Sequence, residues 1–443
     1  MGPSHPIVFP ALSITTTRSR RAVAGALTLA LLAVSSGAAG APPIHEIEAA
    51  RRICVEGTSA ARARAEQLQG EAAVAAADVL PNPSLVVEHQ QTLRGPSDRE
   101  TTVGLSVPLG LGGRRFVLQD AAQARREQAL ANARATRFEA ALAFREAYAA
   151  AALDAARLDV LTQQQASLDA LTTKIQGLAR GGENAGYDLL RQATQARLHR
   201  RLVASMQARA TASRTLLEAW TGEAVTLPAV DPAKLAGGTQ AQGAAPGSLG
   251  APSSQARARG LDAAARASAL EAEAARRRWV PDVEIFAGYR VLSSADSRTG
   301  HGISLGLTIP LTFFDHGQGE AAQAEAARAV AEASAAGLRR ESGALAKAAT
   351  ARLGILEASA ADLDRAVADG AALEAQAGKL YAAGESSIAE LLDALRAAEE
   401  VRLARIDLLE ELVLARLARM RALGTLLDAT LDKACGGPGG AGR

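Results

Sequence analysis

Apolar residues along the chain follow two periods, one suited to rods and one to strands. Leu161, Leu168 and Ile175 recur every seven residues, and Leu171 and Leu178 sit three places after the last two. Ile406, Val413 and Met420 repeat at the same interval, with Leu409 between the first two. A seven-residue repeat is the seam of helices that pack side by side as in a coiled coil. Elsewhere the period drops to two. Val103, Leu105 and Val107 alternate with Gly104 and Ser106, and Ile303, Leu305, Leu307 and Ile309 alternate with Ser304, Gly306 and Thr308. This predicts strands with one oily face and one small, polar face.

Proline sets how far the rods can run, because it breaks helix interiors. None occurs between Pro108 and Pro228, or between Pro310 and Pro438. From Arg114 to Arg180 the only glycine is Gly177, and one helix over that span would reach about 100 Å. Glu320 to Ala383 has the same character, and Ser386 to Lys433 is expected to return as one helix. Rods of this length must pair with others to bury their stripes.

The chain also repeats itself. Val103-Gly104-Leu105-Ser106-Val107-Pro108-Leu109 matches Leu305-Gly306-Leu307-Thr308-Ile309-Pro310-Leu311 at an offset of 202 residues. Gly182-Glu183 and Asp188-Leu189-Leu190 match Gly384-Glu385 and Glu390-Leu391-Leu392 at the same offset. A duplicated unit follows. Residues 42–222 form a first repeat of helix, strands 84–93 and 101–109, and a helical hairpin over 114–222. Residues 257–433 form a second, with strands 283–291 and 302–311 and a hairpin over 320–433. A Pro/Gly-rich linker spans 223–256, and 434–443 is expected to be a disordered tail. Residues 1–41 read as a secretory signal peptide: Arg18, Arg20 and Arg21, an apolar run from Ala22 to Val34, then small residues. That run is too short for a membrane-spanning helix.

Composition narrows the chemistry. Hydrophobic residues make up 48% of the chain but aromatics only 3%, a mixture suited to closely approaching alanine-rich helices rather than a bulky globular core. A net charge of +2 lacks the basic surplus of a protein that binds nucleic acid. The two cysteines, Cys54 and Cys435, are too few for a disulfide scaffold or a four-ligand zinc site. Export would permit a bond between them; two unrelated thiols are the other reading. His89, His301 and His316 have no second ligand at helical or strand spacing. No catalytic triad, metalloprotease or nucleotide-binding motif stands in its required context, so the chain reads as no enzyme, with no cofactor and no metal site.

Four strands of about ten residues suit a membrane barrel but cannot close one, since the smallest filled barrels need about eight. Open edges are excluded from lipid, so several chains would each lend four strands to a common barrel.

At this point the sequence resembles the TolC-like outer membrane efflux family over nearly all of the mature chain. The phrases that carry the likeness are Leu80-Pro81-Asn82-Pro83-Ser84-Leu85 and Val107-Pro108-Leu109-Gly110 leading to Gly112-Gly113-Arg114-Arg115. To these are added Ile309-Pro310-Leu311 leading to Phe314-Asp315-His316-Gly317-Gln318-Gly319, and the stretch Tyr381 to Asp393. The proline-leucine and Phe-Asp-x-x-Gln-Gly phrases resemble the CzcC-like heavy-metal branch, with Gly317 where that branch often has Asn.

The resemblance implies a mainly α protein with membrane β, a homotrimer whose 12-stranded barrel in outer membrane lipid continues into a periplasmic helical tunnel. It implies a periplasmic adaptor (membrane fusion) protein at the tunnel tips and an inner-membrane pump, of RND type, below. Gly182 and Gly384 would turn the two hairpin tips, with Asp188 beside them in contact with the adaptor. Glu390 and Asp393 would ring and constrict the periplasmic entrance; a solvated acidic helix start is the other reading of that pair. The linker would lie in an equatorial collar, with both cysteines near it. The function implied is a passive exit duct for heavy-metal cations. The same channel for multidrug efflux or type I protein secretion would look nearly identical, and a secreted coiled-coil structural protein without a pore is the alternative of another class.

Overall fold

The computed structural model describes residues 45–92, 98–180, 186–223, 227, 253–293, 299–426 and 429–436. The signal-peptide segment, Gly182 and most of the linker lie outside the described residues. Two short helices open the described chain, α1 (Glu46–Glu56) and α2 (Thr58–Asp78). They are separated at Gly57, where a Cβ would lie 2.8 Å from the carbonyl oxygen of Ile53. Strands β1 (Ser84–Gln91) and β2 (Arg99–Leu109) follow. Then come α3 (Arg114–Arg180), 67 residues without a break, and the returning α4 (Gly186–Thr221). The second half repeats the plan with α5 (Ser253–Arg276), β3 (Val283–Ser293), β4 (Thr299–Thr308), the 65-residue α6 (Gln318–Ala382) and α7 (Ile388–Leu423). A last short helix, α8 (Ala429–Gly436), closes the chain.

Two expectations need correction. The final helix does not run unbroken to Lys433. It ends at Gly424, which takes φ 72° and donates its N–H to the carbonyl of Met420, a left-handed cap that glycine adopts without steric cost. Nor does an unstructured tail begin at residue 434: Ala434, Cys435 and Gly436 are helical, and Leu431 and Cys435 are buried. Asp432 holds α8 in place, its carboxylate accepting from the N–H of Leu426 (2.8 Å) and the hydroxyl of Thr425 (3.0 Å).

The four strands form one antiparallel sheet in the order β1-β2-β3-β4, so the two halves meet at the β2–β3 pair. The register sorts the faces. Ser84, Ser106, Phe286 and Gly306 lie across one row, Val86, Gly104, Gly288 and Ser304 across the next, and Glu88, Thr102, Arg290 and Gly302 across a third. The opposite face carries Leu85, Val87, Val103, Leu105, Val107, Ile285, Tyr289, Ile303, Leu305 and Leu307, all exposed. Among the described residues, β1 and β4 each have one edge without a partner strand.

Among the described residues the rods bury two large cores, besides a small alanine cluster of Ala264, Ala265 and Ala331. The larger lies midway along them, where Phe138, Leu142, Phe144, Tyr148 and Leu153 of α3 meet Ile406, Leu409, Leu412, Val413 and Met420 of α7, with Ile53 of α1 and Leu431 of α8. Here Cys54 and Cys435 are joined in a disulfide, Cα–Cα 5.2 Å, tying α1 to α8. Arg145 is also buried in this core, paired with Glu46 and donating to the carbonyl of Leu426 at 3.1 Å. Burial, with Glu46 adding to it, pushes the Tyr148 hydroxyl up to about 12. The smaller core lies at the hairpin end and is built from Leu168, Leu171 and Ile175 of α3, Ala196 of α4 and Ile388, Leu391, Leu392 and Leu395 of α7. The seven-residue seam is thus buried as its period requires. Between the cores, Arg157 of α3 bonds Asp407 (2.7 Å) and Glu410 of α7, while Asp154 of α3 takes Arg209 of α4 at 3.0 Å.

Candidate functional site

The site expected at the entrance is the hairpin end of α6 and α7. The turn is made by Gly384 at φ 75°. Its N–H bonds the carbonyl of Tyr381 (3.1 Å), and the next N–H, of Glu385, bonds that of Leu380 (2.9 Å). These bonds satisfy carbonyls that the end of α6 leaves over. The helix α7 then starts on a capping box. Ser387 Oγ accepts from the N–H of Glu390 (3.4 Å), and the Glu390 carboxylate accepts from the N–H of Ser387 (3.0 Å). Glu390 therefore has a structural task of its own at this helix start. Asp393 follows one turn later, on the same side of the helix. Its side chain is 68% exposed and pairs with Arg396 at 3.5 Å. That basic partner was missed in the sequence; its spacing of three from Asp393 was the available signal.

The first half supplies a different tip. Asp188 sits half-buried in the first turn of α4, between the exposed Tyr187 and neighbours such as Leu190 and Arg191. Glu390 and Asp188, matched by the duplication, thus occupy unlike surroundings. Tyr381 packs on the tip core and lies under the Lys174 ammonium of α3, 5.7 Å from its ring centroid, a cation–π contact that joins the two hairpins.

A second group at the tips was also unread in the sequence. His199 of α4 is 7% exposed at its side chain and faces Glu399 of α7. Its other ring nitrogen faces Gln165 of α3, and Gln165 reaches on to Asp169. Arg200, which hydrogen-bonds Asp169 at 2.7 Å, holds that carboxyl below its ordinary range; burial opposes and Gln165 assists. The signal for His199 was a polar ring one turn from Ala196 on a buried helix face.

At the other end of the rods, the sheet's polar face carries Glu88, Glu100, Glu284 and Arg290, with Arg290 bonded to Glu100 at 3.2 Å. Phe286 lies over Gly104 and Gly288; a Cβ at either would stand 2.6 Å from its ring. Below the strands, Phe116, Trp279, Phe313 and Phe314 are exposed where the chain passes into the rods. His89 bonds the Thr101 hydroxyl (2.9 Å) and His301 stacks on Tyr289. Among the described residues, no group of three or more His, Cys, Asp or Glu is gathered where it could hold a metal ion. No described helix is long and apolar enough to cross a membrane.

Sheet, rods and tips together match solved structures over most of the chain. One, described as CusC and its conformational changes accompanying folding and transmembrane channel formation, has a TM-score of 0.66 at 19% identity, covering 86% of this chain and 91% of its own. A membrane protein from Pseudomonas aeruginosa gives a TM-score of 0.70 at 19% identity, covering 86% and 93%. The open state of the MtrE outer membrane channel of Neisseria gonorrhoeae gives 0.66 at 15% identity, covering 87% and 89%. The fold is that of the TolC-like outer membrane channels. No family model matches the sequence, and no curated protein does.

Proposed function

We propose that the chain is the outer membrane duct of a tripartite efflux system. Three copies would form a 12-stranded barrel and a periplasmic tunnel, which receives substrate from an inner-membrane pump through a periplasmic adaptor. The observation that carries this reading is the sheet. Its outward rows are apolar and exposed, its outer edges have no partner strand among the described residues, and the chain runs from it into rods about 100 Å long. Unpaired backbone groups cost several kcal/mol each in hydrocarbon. A sheet of this kind is therefore at home in lipid only once neighbours complete it. The exposed aromatics below the strands suit the membrane–water boundary, where such residues collect. Exposed Leu190, Leu198 and Leu202 on α4, and Val330 and Ile355 on α6, are apolar surface that side-by-side copies would cover.

Such a duct does no chemistry; it offers a wet path through a low-dielectric layer. On the sheet's polar face three carboxylates, Glu88, Glu100 and Glu284, meet one guanidinium, Arg290. Glu390 and Asp393 add acidic groups at the opposite end. An acidic lining favours cations over anions; together with the likeness of the proline-leucine and Phe-Asp-x-x-Gln-Gly phrases to the heavy-metal branch, it supports the finer reading that the cargo is heavy-metal cations, and that likeness alone is the ground for a pump of RND type.

The test is fractionation followed by deletion. The protein is expected in outer membranes, detergent-extracted as a trimer with mixed helix and strand circular dichroism. A water-soluble single chain would refute the duct. Deletion is expected to sensitise cells to divalent metals more than to dyes or detergents; equal sensitivity to all of them would refute the cargo while leaving the duct.

A further inference from the structure

Two helix flanks in the tip half are left without a neighbour. Contacts there run from α4 to α3, from α3 to α7 and from α7 to α6, with His199 of α4 also touching α7. Among the described residues, α4 and α6 therefore stand at the two ends of a row, and each turns a buried seam inward. On α4 the seam runs through Leu189, Gln192, Ala196, His199 and Val203 to Leu217; on α6 it runs through Leu353, Leu356, Leu363, Val367, Gly370 and Ala377. Both keep heptad spacing. Leu198, Leu202 and Leu216 each come one place before an α4 seam residue, and Ile355, Leu373 and Leu380 one place before an α6 seam residue. On either helix they share one flank, and all six are exposed.

The two flanks match. Leu198 and Leu216 are eighteen residues apart, and so are Ile355 and Leu373. That interval is about five turns, so each pair stands in line on its helix. Helix α4 leaves the tip and α6 arrives at it, so they run in opposite directions. One antiparallel register then sets Leu216 on Ile355 and Leu198 on Leu373. It also sets Arg209 opposite Asp362, with small residues on either side, Ser205 with Ala366 and Ala212 with Ser359. Leu202 meets Asp369, which has Arg201 beside it. Heights within the chain agree. Arg209 pairs with Asp154 of α3, and Arg157 of α3 bonds Asp407 of α7. The ion pairs of α7 with α6 (Arg402–Glu374, Arg405–Asp364, Arg416–Glu357 and Glu411–Arg352) carry that level to within about a heptad of Asp362.

Charge selects the partner. Helix α4 has six arginines and two carboxylates, whereas α6 from Ile355 to Ala382 has five carboxylates and two cations. Two α4 flanks would repel, as would two α6 flanks, while α4 and α6 attract. We propose that α4 of one copy packs against α6 of the next in this register. A contact between unlike flanks runs head to tail and closes a ring when the rotation allows. The ring of copies rests on the duct reading; which helices meet, and at which residues, goes beyond it.

The pairing is tested on full-length, detergent-extracted protein with a short bismaleimide, which links thiols and leaves the Cys54–Cys435 disulfide untouched. Packed helix axes lie about 8–10 Å apart, within its reach. Leu216→Cys with Ile355→Cys, and separately Leu198→Cys with Leu373→Cys, are expected to shift the chain to a covalent trimer band in denaturing electrophoresis. Within one chain the two sites of each pair lie about three helix spacings apart, too far to link. Leu216 is 65% exposed and Ile355 71%, so these variants are expected to keep the fold. Each single variant is expected to stay a single chain, and so is the mismatched pair Leu216→Cys with Leu373→Cys, about 27 Å out of register. Linking of a single variant would mean that like flanks meet, and overturns the pairing. Equal linking of the mismatched pair overturns it too, as does a native trimer in which either matched pair fails to link; the duct reading then stands. A single chain by native mass refutes the duct reading and the pairing with it.

Discussion

At the residue scale, glycine sets the local geometry in two places where no other side chain fits. Gly317, before α6, takes φ 89°, and a Cβ there would lie 2.1 Å from the carbonyl oxygen of Ala275. Asn tolerates the left-handed region but carries a Cβ, which explains why this chain has glycine at a position where its resemblance suggests Asn. Gly317→Asn is expected to cost about 2 kcal/mol or more, read as a lower melting temperature by circular dichroism. Gly319→Ala, two residues on, meets nothing within 4 Å and is expected to leave the melt unchanged or slightly raised. On the sheet, Gly104 and Gly288 make room for the Phe286 ring. The sequence showed these glycines as alternation without revealing what lies over them, because a cross-strand neighbour is fixed by register and not by period.

At the element scale, what the sequence revealed and what it hid have separate physical causes. The long rods were legible because proline and glycine are absent from them and because a seven-residue seam persists. Strand centres were legible from period two, but their ends were not. The strand expected at 302–311 runs Thr299–Thr308, because pairing with β3 sets the ends and Pro310 has no N–H to give a ladder. The break at Gly424 could have been read from the glycine; α8 could not, since its place depends on Asp432 and on Cys435 meeting Cys54. That disulfide joins residues 381 apart and closes a large loop of unfolded chain. Replacing both cysteines by serine is expected to cost about 2–5 kcal/mol. Reductant should lower the melting temperature of wild type toward that of the variant and leave the variant unmoved; a shift in both would trace the effect elsewhere. Tip polar groups were least legible of all. His199, Gln165 and Glu399 come from three helices, and no spacing within one helix announces a contact between them.

At the scale of the whole molecule, the two ends pose different electrostatic problems. The sheet end offers a polar face between open edges; the tip end offers Glu390 and Asp393, the first held in a capping box and the second beside Arg396. In a trimer these would give six carboxylates in a ring. Replacing Glu390 by Gln and Asp393 by Asn together is expected to raise conductance in planar bilayers and to weaken cation selectivity. Unchanged currents would leave Glu390 its capping role alone and remove both residues from the constriction. The single change Glu390→Gln keeps the capping hydrogen bond, since Gln serves that position too, so a loss of folding in the double variant would not be mistaken for a gating effect.

The aromatic collar of Phe116, Trp279, Phe313 and Phe314 marks where α3 and α6 begin, and neither rod contains a proline. Reach is consequently written in residue count, at about 1.5 Å each. Removing one heptad from every descending rod and one from every ascending rod would keep the seam in phase and draw the tips about 10 Å nearer the sheet. The protein is in this sense a ruler, and on the proposed duct reading an adaptor at its far end must be cut to the same measure.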